Sequence, residues 1–229
     1  MKIWFKKGLL STLIAFGLFV GVTAGLLLFV VLGGGGYARV SFSKDYFFLV
    51  KDCEKTTVTA VAGDIYSSGG AGYLLESDNA VAIACYFKET SAQFVQKNLQ
   101  VKGTETRLIA CSPDDLVLRG RKSGYQKRIE SNLETVDQLA HILYDTANGL
   151  ERSELSQKEA KAALAGVVSS LRGLITENKE DVFALWNTAL KAAQRQGTEK
   201  GDGLLFAKDL RYLQAMLCDT VVHFANYFA

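Results

Sequence analysis

The sequence predicts an α+β protein with three parts: an N-terminal transmembrane helix over residues 8–32, a βαββαβ domain with a four-stranded antiparallel sheet over 43–113, and a C-terminal antiparallel helical bundle over 121–228. Three observations predict it. One apolar run near the N-terminus is uncharged and long; strand-like and helix-like segments alternate over 46–111; beyond Pro113, the single proline, the composition turns to helix formers.

Residues 8–32 contain no charge and no proline, with Ser11, Thr12 and Thr23 as the polar interruptions. A helix needs about 20 apolar residues to cross the hydrocarbon core, so the segment is long enough. Lys2, Lys6 and Lys7 precede it, whereas Arg39 and Lys44 lie farther from its other end. The positive-inside bias then keeps the N-terminus cytoplasmic and places the rest of the chain outside. A cleaved secretory signal is the competing reading, with small residues near Ala24, but residues 25–32 continue the apolar run past any plausible cut. Gly17, Gly21 and Gly25 recur every four residues, a face on which a second anchor helix can approach closely to form a homodimer.

The 26 lysines and arginines, less the three before the anchor, leave 23 against 24 acidic residues, so the exported part is near neutral. That balance argues against nucleic acid, which requires a concentrated basic surface. Cys53, Cys85, Cys111 and Cys218 show neither a CxxC pair nor zinc spacing, and no metal site or cofactor is expected. Export permits a disulfide, and one among the first three cysteines is the reading this spacing allows.

Residues 33–36 are a glycine exit from the bilayer, with Tyr37 at headgroup level. The segment 46–53 (YFFLVKDC) is aromatic and β-branched, hence a strand. Helix follows over 56–66, with Val58, Val61 and Ile65 on one face, and SSGG at 67–70 ends it. A short strand at 71–76, a turn at Ser77-Asp78-Asn79 and a third strand at 80–87 (AVAIACYF) come next. A second helix spans 89–101 with Ala92, Val95 and Leu99 as its stripe, closed by Lys102 and Gly103, and the last strand is 105–111. This order is the ferredoxin-like, or split βαβ, arrangement, which covers one sheet face with two helices and leaves the other open. Its two halves resemble each other as a pseudo-repeat.

A basic stretch (Arg119, Arg121, Lys122, Lys127, Arg128) leads into a helix carrying Ile129, Leu133, Val136, Leu139, Ala140 and Leu143. Ser156 and Glu159 form a capping box before the stripe Ala160, Leu164, Val167, Leu171 and Leu174. A third helix over 179–194 carries Val182, Leu185, Trp186 and Leu190; a fourth over 204–227 carries Phe206, Leu210, Leu213, Leu217, Val221 and Phe224. Short connections favour an up-down bundle.

Catalytic chemistry needs converging acid, base or nucleophile groups, and only His141 and His223 are on offer, far apart and within helices. No catalytic residue is assigned and the chain is read as non-enzymatic. Asp114-Asp115 reads as a solvated turn, and Gly69-Gly70-Ala71-Gly72 sits at a helix C-terminus, not the N-terminus a phosphate loop requires. Alternation in the third strand sends Val81, Ile83 and Cys85 to the helix side and Ala82, Ala84 and Tyr86 to the open side. Lys51 joins the open face from the first strand, with Tyr73 and Arg107 from the outer strands. Two small residues beside an aromatic suit a flat sugar ring; an ordinary packing surface has the same composition.

The run AVAIACYFKETSAQFVQKNLQVKGTETRLIA, with Tyr86, Ala92, Val95, Leu99 and Gly103 at the marked positions, resembles the SPOR domain, the sporulation-related repeat of exported division and sporulation proteins. GGAGY at 69–73 resembles the same half-motif more loosely. The resemblance implies binding of peptidoglycan glycan strands through the open sheet face, here Lys51, Tyr73, Ala82, Ala84, Tyr86 and Arg107. The expectation is a membrane-anchored, extracytoplasmic peptidoglycan-binding protein of cell division or sporulation, its bundle recruiting a protein partner. The alternative is a structural or assembly protein whose sheet face and bundle both bind proteins.

Overall fold

The computed structural model describes residues 36–228. The predicted membrane segment, with Gly17, Gly21 and Gly25, lies outside the described residues; among those, no helix is long and apolar enough to cross a membrane. The predicted α+β class with an open-faced sheet is corrected. Among the described residues, seven α-helices and three 3₁₀ turns together account for 63% and the strands form two small sheets, so helix packing sets the class.

The described residues divide into two compact units. The first holds residues 36–39 together with Val117–Gln126. Here β1 (Ala38–Val40) and β6 (Leu116–Leu118), whose inner ends reach into the neighbouring sequence, form a two-stranded ladder followed by a 3₁₀ turn, Gly120–Tyr125. Arg119 sets its guanidinium 5.8 Å from the Tyr37 ring centre, and Gln126 Nε2 donates to the Arg39 carbonyl at 3.0 Å.

The second unit contains Val40–Leu116 and the chain from Lys127 onward. Its sheet is built from β2 (Tyr46–Asp52), β3 (Tyr73–Leu75), β4 (Ala80–Tyr86) and β5 (Arg107–Cys111), in the order β3-β4-β2-β5 with all neighbours antiparallel. Helices α1 (Val58–Ser67) and α2 (Glu89–Val101) connect the strands. Gly72, at φ +63° with a Cβ position 2.7 Å from the Ala62 carbonyl oxygen, brings the chain back against α1 and accepts no side chain there.

The central strand β2 is sealed on both sides: Tyr46, Phe48, Leu49 and Val50 have no exposed surface. One face packs under α1 and α2. The other, expected to be open, is covered by α6 (Ala207–Val222), which packs on β4, β3 and β2. Helix α3 (Gln126–Glu151) adds to that cover through Asp137, whose carboxylate accepts the Tyr46 hydroxyl at 2.7 Å. Gln214 of α6, fully buried, donates its amide to the Cys85 carbonyl at 3.0 Å and so satisfies a strand acceptor from the helix.

Around α6 stand α4 (Gln157–Glu177), α5 (Ala184–Gly201) and the short α7 (Phe224–Phe228). The Ser156–Glu159 capping box starts α4. Gly197 lets α5 approach α4 closely, since a Cβ there would lie 2.7 Å from Val168 Cγ2. Two helices differ from the sequence reading. The third begins after a 3₁₀ turn, Asp181–Phe183, which buries Phe183 and leaves Leu185 61% exposed; the fourth is interrupted at His223. The turn puts the buried stripe on Phe183, Trp186 and Leu190, one face apart from the Val182–Leu185 pair.

Candidate functional site

Residues paired directly across a sheet share a face, and one irregularity decides how the six predicted site residues are distributed. The β2–β4 register shifts between Leu49 and Val50: Leu49 faces Ala84, whereas Val50 faces Ala82, leaving Ile83 as an extra residue. A bulge of this kind reverses the alternation beyond it. Val50 also faces Arg107, and Ala82 faces Tyr73, so Tyr73, Ala82 and Arg107 share the α6 side. Ala84 and Tyr86, opposite Leu49 and Phe47, lie on the α1–α2 side, as does Lys51 opposite Val81. The six residues therefore divide three and three between the two faces.

On the α6 side the sheet is covered at Ala82 and Tyr73. Ala82 has no exposed surface, and the Tyr73 hydroxyl donates to Asp219 Oδ2 of α6 at 2.9 Å. Burial, then the neighbouring Asp219 carboxylate, pushes the Tyr73 phenol above its ordinary pKa. Arg107 stands at the exposed rim in a salt bridge to Asp52, 2.8 Å from Nη2 to Oδ1.

On the other side Ala84 and Tyr86 floor a cleft of about 780 Å³ between the end of α1, helix α2 and the C-terminal turns of α3. Three aromatic rings meet there. Tyr86 lies edge-on to Tyr144 at 6.2 Å, and Phe94, 67% exposed, lines the α2 wall. Burial, then the nearby Tyr144, raises the Tyr86 phenol to about 12, so it enters the cleft as a neutral donor and acceptor. Polar groups complete the lining: Ser68, Thr90, Ser91, Asn148, Lys102 and Arg152. Arg211 fixes the wall, donating from Nη1 to the Gly69 carbonyl at 3.0 Å and pairing with Glu151. A cation just beyond the C-terminal end of α1 also complements the helix dipole. An aromatic floor ringed by hydroxyl, amide and guanidinium groups can stack a sugar ring and hydrogen-bond its edge.

A second cleft, of about 460 Å³, is lined by Tyr73, Tyr212 and Tyr227 with Asp219 and His223. His223 Nδ1 lies 3.1 Å from Asp219 Oδ1, one turn back on α6. That hydrogen bond raises the imidazole pKa above its usual value, with burial opposing it. A raised folded-state pKa contributes stability that is complete below the unfolded value near 6.5. It is lost as pH rises through the folded value. We expect the thermal midpoint to fall between pH 6 and 8 and Asp219→Asn to flatten that slope; a histidine NMR titration with a midpoint at or below 6.5 contradicts the assignment. His141 instead stacks on Phe87 at 3.6 Å. Among the described residues, no group of three or more His, Cys, Asp or Glu side chains is placed to hold a metal ion.

Sequence reasoning missed Phe94, Tyr144, Asn148 and Arg211. They come from α2, α3 and α6, and no local spacing announces their convergence. No family model, no curated protein and no solved structure matches the chain.

Proposed function

We propose that this is a membrane-anchored, extracytoplasmic and non-enzymatic peptidoglycan-binding protein of cell division or sporulation, and that it takes the glycan strand in the cleft floored by Ala84 and Tyr86. The observation that carries this reading is the cleft's lining, three aromatic side chains among neutral and cationic hydrogen-bonding groups, with the Glu151 carboxylate paired to Arg211, in about 780 Å³. Its volume lies within the range of small-molecule and saccharide sites, roughly 300–1,000 Å³. The uncharged run 8–32 supplies the anchor and the three lysines before it the orientation. The sheet face used in the SPOR resemblance is occupied by α6, so the binding surface moves to the opposite face.

The test is co-sedimentation of the full-length protein, in detergent, with insoluble peptidoglycan before and after amidase treatment. Retention is expected to rise on amidase-treated material and to fall about ten-fold for Phe94→Ala, a loss of roughly 1.4 kcal/mol. Phe94 is largely exposed, so this variant keeps the fold. No retention on either material sinks the glycan reading.

A second reading is an assembly protein that binds a protein partner through the bundle. Leu185, Leu204 and Phe206, 61%, 62% and 49% exposed, are the large apolar side chains that favour it. Binding that survives Phe94→Ala but fails on Leu185→Asp would move the interface there.

A further inference from the structure

Cys85 and Cys218 are both fully buried, on opposite sides of the junction between β4 and α6. Burial, then the neighbouring Cys85, holds the Cys218 thiol well above its ordinary pKa. Gln214, one turn earlier on α6, holds the two elements in register: its Nε2 is 3.0 Å from the Cys85 carbonyl oxygen and 4.0 Å from Cys218 Sγ. The other two thiols are engaged elsewhere. Cys53 Sγ donates to the Asn79 carbonyl at 3.4 Å, and Cys111 lies on β5, beyond β2, opposite Tyr46. All four are thiols in this structure.

We propose that Cys85 and Cys218 are a disulfide-forming pair that joins the sheet covalently to the helix covering it. The sequence allows a disulfide among Cys53, Cys85 and Cys111; the fold brings Cys85 to the helix that carries Cys218 instead. Both sulfurs are fully buried in the folded protein, out of reach of an oxidant, and burial disfavours the Cys218 thiolate. The bond therefore forms during folding. One thiolate attacks a disulfide oxidant such as glutathione disulfide, giving a mixed disulfide and one glutathione thiol. When α6 docks, the second cysteine sulfur attacks the protein sulfur of that mixed disulfide and expels the second glutathione. Two protein thiols lose two electrons and two protons, and one glutathione disulfide becomes two thiols. The cross-link spans a long loop, so it constrains the unfolded chain strongly.

The proposal is independent of the cleft and of what it binds. Full-length protein, unfolded and reduced, is refolded in detergent in a glutathione redox buffer, the folded product is then denatured in the presence of an alkylating agent that caps every free thiol, and the chain is mapped by mass spectrometry without reduction. The expected result is one Cys85–Cys218 linked peptide, alkylated Cys53 and Cys111, and a thermal midpoint roughly 10 °C above that of the reduced protein. A Cys53→Ser, Cys111→Ser double variant, which keeps both buried cysteines, is expected to form the same link. Cys85 and Cys218 both recovered alkylated from folded protein, or either one linked to Cys53 or Cys111, overturns it.

Discussion

Ala82→Arg is expected to abolish folding at room temperature, a cost of more than about 4 kcal/mol. Ala82 has no exposed surface and shares its face with Val50 and Tyr73 beneath α6. A guanidinium there has no room beneath α6: it must displace the helix or take Asp219 from the Tyr73 hydroxyl, which then loses its partner. On an open sheet face the same change is tolerated within about 0.5 kcal/mol. The measurement is urea denaturation followed by far-UV circular dichroism, with Lys51→Glu as an exposed control expected to leave the midpoint unchanged. A folded Ala82→Arg protein with a wild-type midpoint would show that α6 does not sit on the sheet.

The second large effect concerns the buried carboxylate of Asp137. It accepts the Tyr46 hydroxyl at 2.7 Å, lies 3.5 Å from Lys44 Nζ and is 2% exposed. Asp137→Ala strands that hydroxyl in the core and removes a charged acceptor, at a cost of about 2–3 kcal/mol. Tyr46→Phe combined with Asp137→Leu removes both partners and leaves no orphaned group. Most of the lost stability is expected to return in that double variant, because Lys44 is half-exposed and rehydrates when its partner is gone. A double variant as unstable as the sum of the two single ones would mean that the pair is uncoupled.

Both predictions follow from the covering of the sheet, and part of that covering was legible in the chain. The run Phe47-Phe48-Leu49-Val50 does not alternate. An unbroken apolar run in a strand marks burial on both faces, and here both neighbours of the strand plane are occupied. The open face is expected from the split βαβ order, which covers one face of the sheet and says nothing of what a later helix places on the other. The bulge at Ile83 was not legible. The segment AVAIACYF alternates only between small and larger apolar residues, so a slip of one position changes no polar pattern.

The sequence by itself determined the local elements. The strand and helix order over 46–111, the Ser156–Glu159 cap, and the apolar stripes of α3 and α4 follow from periodicity and capping, which are properties of neighbouring residues. Only the tertiary structure decided which face α6 covers, how the bulge divides Tyr73, Ala82 and Arg107 from Lys51, Ala84 and Tyr86, and that Phe94, Tyr144 and Arg211 meet around one cleft. The reason is physical. An amphipathic stripe states that a helix must bury one side, while the partner that buries it is selected by shape and by satisfied polar groups, such as Gln214 on the Cys85 carbonyl, across more than a hundred residues of chain.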